Sequence, residues 1–157
     1  MVKYFTNTFS IINLYKKPST KSEVVTQMIY GESFSISQKK NKWLKIKIKE
    51  DNYKGYIQNK HFSPYLIPTH KIKVLNAKIY KSSIKPKRAY NLTFGSKIKV
   101  IAKKLKFLRF EKGWVNRDDV VPIAYKDKNI FKKIGMFKNI KYKWGGKSFK
   151  DIDCSAL

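Results

Sequence analysis

The sequence predicts a mainly β chain built as two tandem small barrels with a different segment behind them. Three observations carry that expectation. Apolar and polar residues alternate over runs too short for helices. A pattern of about sixty residues occurs twice. Asp51-Asn52 supplies turn chemistry between strands of the first copy. The chain has 157 residues, 42% of them hydrophobic and 15% aromatic, enough to bury a core.

In chain order, the first copy opens with Asn13-Leu14-Tyr15 and Pro18-Ser19. It continues through Met28-Ile29-Tyr30-Gly31-Glu32-Ser33-Phe34-Ser35-Ile36 and Trp43-Leu44-Lys45-Ile46, and closes on Gly55-Tyr56-Ile57. Phe34-x-Ile36 and Leu44-x-Ile46-x-Ile48 alternate as half-buried strands do. Two prolines in 63–70, Pro64 and Pro68, mark a linker. The second copy repeats the first at an offset of 64. Leu92 to Val100 answers Met28 to Ile36, and Phe107-Leu108-Arg109-Phe110 answers Trp43 to Ile46. Gly113-Trp114-Val115 then matches Gly55-Tyr56-Ile57 at an offset of 58, so the second copy has a hairpin six residues shorter. Loss at a hairpin tip with the flanking strands in register is what a true repeat tolerates. Pro122 ends the second copy. Asp127 is then placed to cap a short amphipathic helix whose apolar face is Ile130, Phe131, Ile134 and Phe137. The expected domains are 1–67, 68–123 and 124–157.

The formal charge is +26, yet all but Arg88, Arg109 and Arg117 of the 36 basic residues are lysine, scattered through every segment. Specific nucleic-acid readers lean on the arginine fork and cluster it on one face, so the pattern argues against nucleic acid as partner. No run approaches the eighteen or so apolar residues of a membrane span. The first ten residues lack a secretory signal's apolar stretch, which leads to an expected cytoplasmic location, or an exported one if the true start lies upstream. The single cysteine excludes an internal disulfide framework.

That cysteine lies in Tyr142-Lys143-Trp144-Gly145-Gly146, followed by Asp151-Ile152-Asp153-Cys154-Ser155-Ala156. Taken alone, Cys154 reads as a small buried hydrophobe. Its surroundings suggest a nucleophile. A thiol attacks only as thiolate, which the N–H groups at a helix start favour. Asp153 is placed to cap such a start, with Cys154-Ser155-Ala156-Leu157 as its first turn. The Cys154 N–H would then face a developing oxyanion. Gly145-Gly146 would allow close backbone approach.

The order of motifs in each copy resembles bacterial SH3-like domains, and Tyr-x-Trp-Gly-Gly followed by Asp-Cys-Ser resembles the entry to NlpC-type cysteine peptidase domains. The resemblance covers the whole chain. Together these motifs resemble the γ-D-glutamyl-L-diamino-acid endopeptidases, with two SH3-like barrels, a helix and the N-terminal fragment of an α+β, papain-like domain. That resemblance implies a hydrolase acting on murein peptides with a free N-terminal L-alanine, with no cofactor and no metal. It implies Cys154 as nucleophile, with Asp153 and Ser155 helping to hold the substrate. The family's acidic-Asp-x-Tyr-x-Gly segment maps onto Glu50-Asp51-Asn52-Tyr53-Lys54-Gly55, making Tyr53 the residue that meets the substrate's amino end; without the resemblance, Tyr53 is an ordinary barrel-surface tyrosine. Ala156 replaces the usual glycine, and no proline precedes Tyr142. The family's histidine base and its polar partner follow the cysteine, and here only Ser155, Ala156 and Leu157 do. His61 and His70 sit in barrel one and the linker. The expectation is therefore a truncated form, inactive alone. The competing expectation is a non-catalytic module that binds wall peptide, wall polymer or nucleic acid.

Overall fold

The computed structural model describes residues 2–129 and 133–156. It is mainly β, as expected. The chain divides into two compact units: residues 1–66 with 141–157, and residues 67–140. The stretch 124–157, expected as one unit, is thus shared between them.

In the first unit, β1 (Tyr4–Thr6), β2 (Ile11–Tyr15), β3 (Val24–Ile29), β4 (Ser33–Lys40), β5 (Trp43–Ile48), β6 (Lys54–Gln58) and β7 (Ser63–Pro64) form one antiparallel sheet in the order β3-β2-β6-β5-β4-β1-β7. Alternation in β5 reads directly as burial, with Leu44, Ile46 and Ile48 inside and the lysines between them outside. Leu14, Met28, Phe34, Leu44, Ile46, Ile48 and Ile57 fill the core, with Phe62 edge-on to Phe34 at 4.9 Å. Asn7 pins the entry by donating from Nδ2 to the carbonyls of Met28 and Ile29. The first proline of the expected linker belongs to β7, which pairs with β1.

In the second unit, β8 (His70–Ile72), β9 (Asn76–Tyr80), β10 (Arg88–Thr93), β11 (Lys97–Ile98), β12 (Val100–Lys104), β13 (Phe107–Phe110), β14 (Gly113–Asn116) and β15 (Val120–Pro122) form two sheets, β10-β9-β14-β13-β12 and β11-β8-β15. Ile72, Ala77, Ile79, Leu92, Ile98, Leu108, Phe110 and Val115 are buried. Ile130 and Phe131 of the expected helix lie outside the described residues. Beyond them, Lys133 and Ile134 are helical and a 3-10 turn spans Gly135–Phe137. Ile134 of the expected apolar face is exposed, while Phe137 meets Phe94 edge-on at 5.5 Å. Asp127 accepts from the backbone N–H of Asn129 and pairs with Lys133 at 2.9 Å.

The expected repeat is visible in three matched features. Gly31 and Gly95 take φ of 83° and 80° in matching turns. A bulge falls between Ile36 and Gln38 in β4, and between Val100 and Ala102 in β12. Tyr15 meets Trp43 edge-on at 5.7 Å, and Tyr80 meets Phe107 in the same way at 5.5 Å.

Candidate active site

The last residues fold onto the first barrel. β16 (Lys141–Tyr142) runs parallel to β17 (Asp151–Ile152). Between them, the Gly146 N–H donates to the Lys143 carbonyl at 2.9 Å and closes a four-residue turn. Gly145 occupies the third position of that turn with φ of 74°, a conformation that side chains resist. A Cβ there would also meet the Val24 carbonyl oxygen at 2.9 Å, because the turn lies on β3. A Cβ on Gly146 would meet the Asp151 and Ile152 backbone at 2.9 Å. The paired glycines thus serve close approach, but of the protein's own backbone. Tyr142 and Trp144 project outward, 67% and 62% exposed.

Asp153 is the organising side chain. Buried to 8% exposure, its Oδ2 accepts from the Gly145 N–H at 3.0 Å. Its Oδ1 accepts from the Ser155 N–H at 2.9 Å, the Ser155 hydroxyl at 2.7 Å and the Ala156 N–H at 3.1 Å. Its two oxygens thus accept from four donors, which satisfies the buried side chain. Asp153 thus makes side-chain bonds of the kind expected of a cap, but around a single hydrogen-bonded turn closed by the Ala156 N–H on the Asp153 carbonyl; no helix is assigned to residues 154–156. Leu157, the end of the expected first turn, lies outside the described residues. Cys154 is exposed on this turn, so it is not the small buried hydrophobe that a lone cysteine suggests. Asp153 and Ser155 are brought together; their polar atoms are engaged with each other.

The residue that sequence reasoning missed is Lys147. Its backbone N–H donates to Gln27 Oε1 at 2.9 Å, and its ammonium lies 2.5 Å from Glu32 Oε1 and 3.1 Å from Asp51 Oδ2. Glu32 is nearly sealed, and its second oxygen accepts the Ile29 N–H at 2.8 Å. Burial opposes the charge on Lys147, but Glu32 and Asp51 outweigh it and hold its pKa above the usual lysine value. Burial pushes the Glu32 carboxyl upward against the pull of Lys147. Asp51 also receives the Tyr53 N–H at 3.1 Å, so Lys147 ties the expected recognition turn to the cysteine segment. Tyr53 itself is 38% exposed. Among the described residues no group of three or more potential metal ligands occurs.

Residues 14–62 match the family model described as the bacterial dipeptidyl-peptidase SH3 domain. The likeness of the first barrel is to bacterial SH3 domains. Over 98% of the chain the fold is similar to that of an NlpC/P60 family protein from Bacillus cereus, with a TM-score of 0.76, 17% identity and 69% of that chain covered. Two NlpC proteins from Trichomonas vaginalis align over 99% of this chain at 15% and 16% identity. They cover 63% and 60% of their own lengths, with TM-scores of 0.34. No match was found among the curated proteins.

Proposed function

We propose that this chain carries the nucleophile and part of the substrate cleft of a cysteine peptidase that cuts γ-D-glutamyl–diamino-acid bonds in murein peptides. The observation that supports this most is the exposed Cys154 on a turn whose N–H groups are organised by buried Asp153. An exposed thiol after a capping carboxylate is placed to attack a carbonyl, and the oxyanion is assigned to the Cys154 N–H, because those of Ser155 and Ala156 are held by Asp153. In the reaction the Cys154 sulfur would bond to the γ-carbonyl carbon of D-glutamate, expelling the diamino acid's amine, and water would release the acyl group. Proton transfer in both steps requires a base. Of the two histidines, His61 follows β6 and His70 opens β8 in the other unit, and neither belongs to the cysteine segment. Tyr53 is assigned to the substrate's amino end, and Asp153 to holding the turn.

Alkylation of Cys154 by iodoacetamide tests this reading. L-Ala-γ-D-Glu-L-Lys should slow labelling at least about fivefold at saturation, and the N-acetylated peptide should not. Residues 1–157 alone should release no L-Ala-γ-D-Glu. Labelling that is indifferent to saturating free peptide would sink the proposal, and peptide binding under that condition would point to a non-catalytic module.

A further inference from the structure

The two copies of the barrel supply an internal control for Lys147. At the offset that superimposes their turns, Glu32 corresponds to Ser96, whose buried Oγ has no hydrogen-bond partner among the described residues. Both turns close alike, Glu32 N–H on the Ile29 carbonyl and Ser96 N–H on the Thr93 carbonyl. The fold therefore does not need an acid there. Asp51, in turn, lies in the stretch of the β5–β6 hairpin that the shorter β13–β14 hairpin lacks. The two carboxylates that hold Lys147 are thus among the features separating the first copy from the second. In a chain with ten acidic residues and a charge of +26, two acids converge on one lysine of the cysteine segment.

We propose that Lys147 is a positioning residue that fixes the turn at residues 51–53 and the turn around Cys154 in one geometry. Glu32 anchors the ammonium on the barrel, Asp51 carries the connection to the Tyr53 N–H, and the Lys147 backbone on Gln27 seats the segment on β3. The consequence is specificity. The distance between the nucleophile and the residue meeting the substrate's amino end is set by the bridge, so the bridge should determine discrimination between free and blocked amino ends. This rests on the reading of Cys154 and Tyr53 given above.

The test uses the full chain, with L-Ala-γ-D-Glu-L-Lys and its N-acetyl form as probes, read by calorimetry and by amide chemical shifts. Lys147→Met should reduce the preference for the free amine about tenfold, and Lys147→Arg should restore it to within about threefold, because a cation is what the two carboxylates require. Amides of residues 51–53 and 145–155 should shift together in Lys147→Met, while those of Leu44 and Ile57 in the core stay in place. If Lys147→Met alone does not fold, Glu32→Gln/Lys147→Met removes both buried charges and serves instead. An unchanged preference in a variant of a chain that does bind the peptide overturns the proposal. If the unaltered chain binds neither peptide, the peptidase reading fails. The shifts then decide the bridge separately: joint movement of both segments sustains it, and movement of residues 145–155 alone overturns it.

Discussion

The two barrels agree where stereochemistry rules and part where charge does. Both turn through a glycine at positive φ, both carry a bulge at the same place in the equivalent strand, and both set a tyrosine edge-on against the ring that opens the next hairpin. Yet the first carries Glu32 and the longer hairpin with Asp51, and it alone docks the cysteine segment on those groups. The frame is fixed by backbone sterics and packing. The specialised surface comes from one substitution and one longer loop, which a frame of this kind accepts at little cost.

The sharpest way to break the equivalence is at the closing glycines. A Cβ on Gly55 would meet the Tyr15 carbonyl oxygen at 2.7 Å, and one on Gly113 would meet the Tyr80 carbonyl oxygen at 2.9 Å. Neither backbone atom has room to retreat inside a paired sheet. Gly55→Ala and Gly113→Ala should each destabilise by about 3 kcal/mol, measured by urea denaturation. A loss in one copy and not in the other would show that the shared contact is a coincidence of register.

Next in size is Glu32→Ser, which writes the second copy's residue into the first. It removes the acceptor of the Ile29 N–H and the closest counter-charge of Lys147, and should cost about 2–3 kcal/mol. Lys147→Met should cost a similar amount at neutral pH, with a defined pH profile. The folded state raises the Lys147 pKa above its ordinary 10.5. The lysine's contribution is therefore complete below 10.5 and is lost as pH climbs through the higher folded value. Burial likewise raises Glu32 from 4.5, so its ionisation as pH rises through the folded value costs stability, and more so without Lys147 beside it. The gap in melting temperature between the unaltered chain and Lys147→Met should open as Glu32 ionises, stay level through neutrality, and close above about pH 10.5. A gap independent of pH would mean that Lys147 acts through packing alone.

Most of the barrel frame was legible in the sequence because strand alternation, the Asp51-Asn52 turn and the repeat offset are local or strictly periodic signals. Trp43 with Phe107, Gly31 with Gly95 and Gly55 with Gly113 align on the sequence alone. The Asp153 cap was legible for the same reason, since donor and acceptor lie within three residues. Lys147 was not, because its partners are 115 and 96 residues away and it is one of many lysines. Nothing in its own neighbourhood distinguishes it. The usable signal lay on the other side of the contact: Glu32 is an acid at a position where the repeat places serine. The grouping of the cysteine segment with the first barrel was not legible for a related reason: residues 141–142 pair with 151–152 and Lys147 seats on β3 through Gln27, long-range contacts that no periodicity announces.

The smallest effect is also the most discriminating test of the frame. At the tips of the equivalent hairpins, Asn41 and Leu105 adopt φ of 52° and 51°. Asparagine tolerates this left-handed region, whereas leucine meets its own carbonyl there. Leu105 is also 86% exposed, so no packing offsets the strain. Leu105→Asn should therefore stabilise the second unit by about 0.5–1 kcal/mol, and Asn41→Leu should weaken the first by a similar amount. Both are readable as shifts in urea midpoint at constant slope. Opposite signs from mirror-image substitutions would follow only if both tips keep the same backbone in solution. If Leu105→Asn is neutral, the second tip relaxes to another conformation, and the equivalence of the copies stops at their strands.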